Sequence, residues 1–78
     1  MKQIHELKIM HDRLMDIKND LKTFEIRYND RDYKVGDTLV LKSLEHYQEY
    51  ETFVVVEIVY IDDFEQKENY LVLGIKKV

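Results

Sequence analysis

Between residues 20 and 33 the chain concentrates side chains that could do chemistry: Lys22, Glu25, Arg27, Asn29, Arg31 and Tyr33, with Asp30 and Asp32 among them. If residues 22–28 form a strand, Thr23, Glu25 and Arg27 share one face, and Phe24, Ile26 and Tyr28 share the other. That alternation predicts an apolar face that anchors in a core and an opposite face carrying a carboxylate beside a guanidinium. An arginine presents a planar fork of donors suited to phosphate, and a carboxylate can accept from a base amino group. Lys22 stands just before the pair, where a helix returns to the sheet. There it can hold a phosphate or, as a neutral amine, serve as a base. The plainer reading of Glu25 and Arg27 is a same-face ion pair, worth about 0–1 kcal/mol when exposed. Asn29 to Asp32 likewise read as turn chemistry, with Asx side chains bonding their own backbone. Of these four, Arg31 is the residue placed to reach a ligand. Tyr33, in the same polar loop, is the tyrosine placed to stack on a base.

Elsewhere the chemistry is sparse. His5 alternates with Leu7 and Ile9, the pattern of a hydrogen-bonded core histidine. His11 and His46 are isolated, no two histidines stand four apart, and the chain contains no cysteine. Neither a metal site nor a disulfide framework is therefore predicted, and no cofactor is implied. Glu57 interrupts an apolar strand, which makes it either outward-facing or a cleft carboxylate. Asp62-Asp63-Phe64-Glu65 reads as a solvated acidic loop.

These residues must be positioned by one small domain, since 78 residues leave no room for a second core. Residues 3–9 alternate as a first strand. The period then changes, and Met10, Leu14, Ile17 and Leu21 fall on one face of a helix over 11–19. Asn19-Asp20 stops it, both residues tolerating left-handed geometry. Strands follow at 22–28, 38–42, 53–61 and 70–76, with turns at 29–32 and 35–37 and a polar, tyrosine-rich connection at 46–51. Val54, Val56, Ile58 and Tyr60 form one apolar face of the longest run, and Gly74 marks a bulge or close approach in the last strand. The order β-α-β-β-β-β, with short connections, predicts antiparallel pairing in a strongly curved sheet or small barrel: a mainly β, α+β domain.

The formal charge is −4, unevenly spread: residues 1–21 balance, 22–43 carry +1, and 44–78 carry −5. That argues against broad electrostatic binding of nucleic acid and leaves only a local patch around residues 22–43. No apolar run approaches the ~18 residues of a membrane span, and the N-terminal residues lack a signal peptide's apolar centre. A cytoplasmic protein is the expectation.

The spacing Asp20-x-Lys22-x-x-Glu25-x-Arg27 resembles the G-x-K-x-x-E-x-R signature of the ASCH domain superfamily, with Asp20 in place of the glycine. His5-Glu6-Leu7-Lys8-Ile9, Phe24 to Asp32, Val35-Gly36-Asp37 and Leu71 to Lys76 are similar, in matching order, to short ASCH-like proteins of bacteria and phages. The resemblance implies a PUA-like barrel with a cleft between helix and barrel, and RNA or a nucleotide as partner. It also raises His5 and Lys8 as cleft-lining residues. Some superfamily members are amidohydrolases on modified cytidines, using a lysine and a threonine three residues later. Here Glu25 stands three after Lys22, and Thr23 is adjacent instead. The expected function is accordingly RNA or nucleotide binding through Lys22, Glu25, Arg27 and Arg31, with Asn29, Tyr33, His5 and Lys8 contributing. The alternatives are a small hydrolase using Lys22 and Glu25, and a protein-interaction module of a phage or mobile element using the acidic C-terminal half.

Overall fold

A computed structural model describes residues 2–45 and 52–78; the expected connection at 46–51, with Tyr47 and Tyr50, lies outside the described residues. The elements are β1 (Ile4–Ile9), α1 (His11–Lys18), β2 (Phe24–Tyr28), β3 (Thr38–Ser43), β4 (Phe53–Asp62) and β5 (Tyr70–Lys77). They form one five-stranded sheet in the order β1-β3-β4-β5-β2. The sheet curls into a half-barrel around a single apolar core, and no helix among the described residues is long and apolar enough to cross a membrane.

The helix buries Leu14 and Ile17 against the inner sheet, while Met10 and Leu21, at the ends of the predicted apolar stripe, are exposed. One short helix has room to bury only its central turns. Asp12 in the first turn and Lys18 in the last complement its dipole. At its end Asp20 takes a left-handed φ of +62°, and its carboxylate pairs with Lys77 at 3.2 Å on the surface. Left-handed geometry strains a residue with a Cβ by roughly 1–2 kcal/mol, whereas an exposed ion pair contributes little. Asp20→Gly is therefore expected to raise stability by about 0.5–1 kcal/mol, read as a rise of a few degrees in Tm; an unchanged or lower Tm would show that the Lys77 contact outweighs the strain.

One pairing departs from the antiparallel expectation: β1 and β3 run parallel, Ile4 opposite Thr38 through Ile9 opposite Ser43. Parallel neighbours need a long crossover, and α1 with β2 supplies it. Asp37 clips the two strand starts together. It is 1% exposed and accepts from the Gln3 N–H at 3.0 Å, from His5 Nε2 at 2.9 Å and from the Lys34 N–H at 3.1 Å. Beside it, Gly36 adopts φ +97°, a conformation that needs glycine, and its N–H reaches the Ile58 carbonyl at 2.8 Å.

The core collects Leu7 and Ile9 from β1, Leu39 and Leu41 from β3, Val56 and Ile58 from β4, and Leu73 and Ile75 from β5. A register shift between Ile58 and Tyr60 breaks the simple alternation of β4. Past it Ile61, not Tyr60, packs on the core, and Tyr60 is exposed. Gly74 sits opposite this bulge, where a Cβ would come within 3.1 Å of the Tyr60 Cβ. Glu57 faces outward, and the 62–65 stretch is exposed.

Candidate functional site

The site strand faces the opposite way from the expectation drawn from its hydrophobicity. Phe24, Ile26 and Tyr28 are 43%, 50% and 50% exposed, while Glu25 is only 6% exposed. The register explains this. Directly opposite residues of an antiparallel pair share a face, and Glu25 lies opposite Leu73, Arg27 opposite Leu71. Because Leu73 must be inside, Glu25 is inside with it. Phe24 lies opposite Gly74 on the outer face.

The inward carboxylate is the hub of the site. Lys22 Nζ donates to Glu25 Oε1 at 3.2 Å, and Arg27 Nε donates to Glu25 Oε2 at 2.9 Å. Lys22 Nζ also donates to the Phe24 carbonyl at 2.5 Å and stands 4.0 Å above the Phe24 ring centroid. Arg27 Nη2 reaches the Lys8 carbonyl at 2.6 Å. That bond spans from β2 to the end of β1, the two outer strands of the sheet. The half-barrel thus fails to close between β1 and β2, and Arg27 bridges the seam.

A cleft of about 580 Å³ occupies the seam, within the size range of small-molecule sites. Its polar lining is Lys8, Arg13, Lys22 and Arg27, against Asp16 and Glu25: four cations to two carboxylates, in a protein of net charge −4. Ile9, Met10, Phe24, Ile26 and Leu44 supply apolar wall. Lys22 and Arg27 neutralise Glu25, but the guanidinium of exposed Arg13 has no ion pair or hydrogen bond among the described residues. Arg27 spends two of its N–H groups on Glu25 and Lys8; the guanidinium fork carries five in all.

Of the residues singled out in the sequence, the cleft therefore brings together Lys22, Glu25, Arg27 and Lys8. It does not include the others. His5 is buried against Asp37, the core role its strand face predicts. Tyr33, expected to stack on a base from a polar loop, is instead 5% exposed, with its ring edge-on to His5 at 5.0 Å. It has no free face for a base. Burial and the nearby Asp30 carboxylate raise its phenol above the usual 10.0, with Arg27 and Arg31 opposing. Arg31 is exposed, 4.0 Å from Asp30, and Asn29 Oδ1 accepts from the Tyr33 N–H at 3.2 Å, the turn role of an Asx side chain. Asn29 lines a separate groove with the 66–71 segment. Sequence reasoning missed Arg13 and Asp16. They stand three apart on the helix, beside buried Leu14 and Ile17, and that spacing was their only signal. No three His, Asp or Glu side chains converge as a metal site among the described residues.

No curated protein matches the chain. A family model described as a domain of unknown function, DUF3850, matches residues 4–75. That span takes in β1 to β4, the helix, β5 as far as Ile75 and all of the residues lining the cleft, and the chain accordingly belongs to the DUF3850 family.

Proposed function

We propose that this domain binds a nucleotide or a short single-stranded RNA in the β1–β2 cleft. The observation that carries the reading is the local excess of cations, organised on a buried carboxylate, in an otherwise acidic protein. Arg13 and Arg27 take the phosphate, since both keep N–H donors in hand and arginine matches phosphate oxygens in pairs. Glu25 holds Lys22 and Arg27 in place, and Phe24 and Met10 offer apolar surface to a sugar or base. The resemblance of residues 20–27 to the ASCH signature supports the same ligand class. Binding is favoured over hydrolysis because Lys22 is fully engaged, with Glu25, the Phe24 carbonyl and the Phe24 ring all about its ammonium. A base or nucleophile would need an uncommitted amine.

The test is titration of labelled oligonucleotides and nucleoside monophosphates into wild type, Arg13→Ala and Arg27→Ala at low salt. Arg13→Ala is expected to weaken binding by about tenfold, the loss of one charge-assisted contact at ~1.5 kcal/mol. Its Tm should stay that of wild type, because Arg13 holds nothing in the fold. Equal affinity of wild type and Arg13→Ala, or no binding by wild type, overturns the reading.

A further inference from the structure

The residues that make β2 odd also make it self-complementary. Among the described residues β2 ends the sheet, paired only with β5. The Ile75 N–H bonds the Thr23 carbonyl and the Asn29 N–H bonds the Asn69 carbonyl, so the odd-numbered residues spend their backbone groups on β5. Those of Phe24, Ile26 and Tyr28 point to the open edge. Two carbonyls there have local donors, Phe24 from Lys22 Nζ and Tyr28 from the Asp30 N–H. The N–H and carbonyl of Ile26 have no partner among the described residues. Natural edges are usually blunted by an outward charge, a proline or a bulge. Here the Lys22 ammonium caps only the Phe24 carbonyl and the charges of Glu25 and Arg27 turn inward, while the three edge-directed residues have apolar, half-exposed side chains and the chain contains no proline.

We infer that the β2 edge pairs antiparallel with the β2 edge of a second copy of this chain, about a two-fold axis at Ile26. The sequence Phe24-Glu25-Ile26-Arg27-Tyr28 matches itself in that arrangement. Ile26 meets Ile26 as a hydrogen-bonded pair, and Phe24 of one copy meets Tyr28 of the other on the outer face. On the inner face Glu25 of each copy meets Arg27 of the other, at positions where side chains approach most closely. A register shifted by two residues sets Glu25 against Glu25 or Arg27 against Arg27, and like charges directly opposite are destabilising. Charge thus selects the one register that also pairs the aromatics. The outer apolar surface, with Tyr70 packed edge-on to Tyr28 at 5.4 Å, then continues across the axis. A closed two-fold pairing removes the exposed β2 edge of both copies. The pairing is argued from the strand edge and not from the nucleotide reading, although Phe24, Glu25, Ile26 and Arg27 all line the same cleft.

Two variants test it. Ile26→Lys places two ammonium groups on the axis, yet it removes no ladder bond and no core contact. Ile26→Cys puts a single thiol there in a chain without cysteine, at a Cα separation of about 5.5 Å that a disulfide can span. In sedimentation, wild type is expected to rise from the 9.5 kDa chain mass to twice that with concentration. Ile26→Lys is expected to weaken association by at least about tenfold with unchanged circular dichroism. Ile26→Cys should form a chain-to-chain disulfide on mild oxidation, much faster than a cysteine at exposed Val59. Wild type that stays monomeric to about 1 mM, undiminished association of Ile26→Lys, or equal cross-linking at positions 26 and 59 overturns the pairing.

Discussion

Asp37→Ala is expected to lower stability by about 3–5 kcal/mol, a large share of the ~4–12 kcal/mol that a domain of this length holds in total. The carboxylate satisfies two backbone N–H groups and one imidazole in a place water does not reach. It also ties the start of β1 to the start of β3, so its loss opens the parallel pair from its end. The effect depends on pH in a defined sense. Burial by itself pushes the Asp37 carboxyl up, but the Gln3 N–H, the His5 imidazole and the Lys34 N–H outweigh it and hold the group below its ordinary 3.8. A carboxyl lowered in the native state contributes stability that is complete above the unfolded value and is lost as pH falls through the native one. Urea unfolding of wild type and Asp37→Asn should therefore differ most near neutrality, at about pH 7, and converge as the pH falls through the lowered native value, beneath 3.8. A gap that stays constant with pH would remove Asp37 from the acid limb.

Glu25→Ala carries the second large effect. It strips the carboxylate from two cations that its own burial has drawn partly out of water, and breaking such a pair by removing one partner costs about 3–5 kcal/mol when fully buried. With Lys22 15% and Arg27 24% exposed, roughly 2–3 kcal/mol is expected after solvent screening. The triple change Lys22→Met, Glu25→Leu, Arg27→Met removes the whole ionic group instead, and it should keep or exceed wild-type stability. Thermal melts of both variants, with oligonucleotide titration, separate the two contributions. A triple variant that melts normally and no longer binds assigns these charges to the ligand; one as unstable as Glu25→Ala assigns them to the fold.

The contrast shows what was legible in the chain. The strands and the helix followed from apolar periodicity, and Leu14, Ile17, Leu39, Leu41, Leu73 and Ile75 fell inside as their spacing required. Asp20 took the left-handed turn expected at the helix end. Alternation could separate the faces of β2 but not orient them. Orientation comes from the partner strand, and pairing with β5 puts Glu25 inside and Phe24, Ile26 and Tyr28 outside. The same limit hid Tyr33. Its polar neighbours spoke for a loop, while its burial depends on His5 from 28 positions earlier. The parallel β1–β3 pair was illegible for a related reason, since the clip that makes it is a single aspartate read as a turn residue. Taken alone, Glu25 and Arg27 read as a common same-face ion pair; the resemblance of their spacing with Lys22 to a known signature singled the three out, and they converge.

The pairing of β2 with β5 alone sets an order of assembly. The strand bearing Glu25 and Arg27 leaves the ribosome well before the 70–77 segment, its only ladder partner among the described residues. Until that segment has emerged, Glu25 has no Leu73 beside it and nothing distinguishes its inner face from its outer one. Contacts so distant along the chain form slowly, because the intervening loop must first be closed. A nascent chain halted before β5 can contain every residue of the cleft and still have no cleft, so ligand capture is confined to chains whose last strand has already docked.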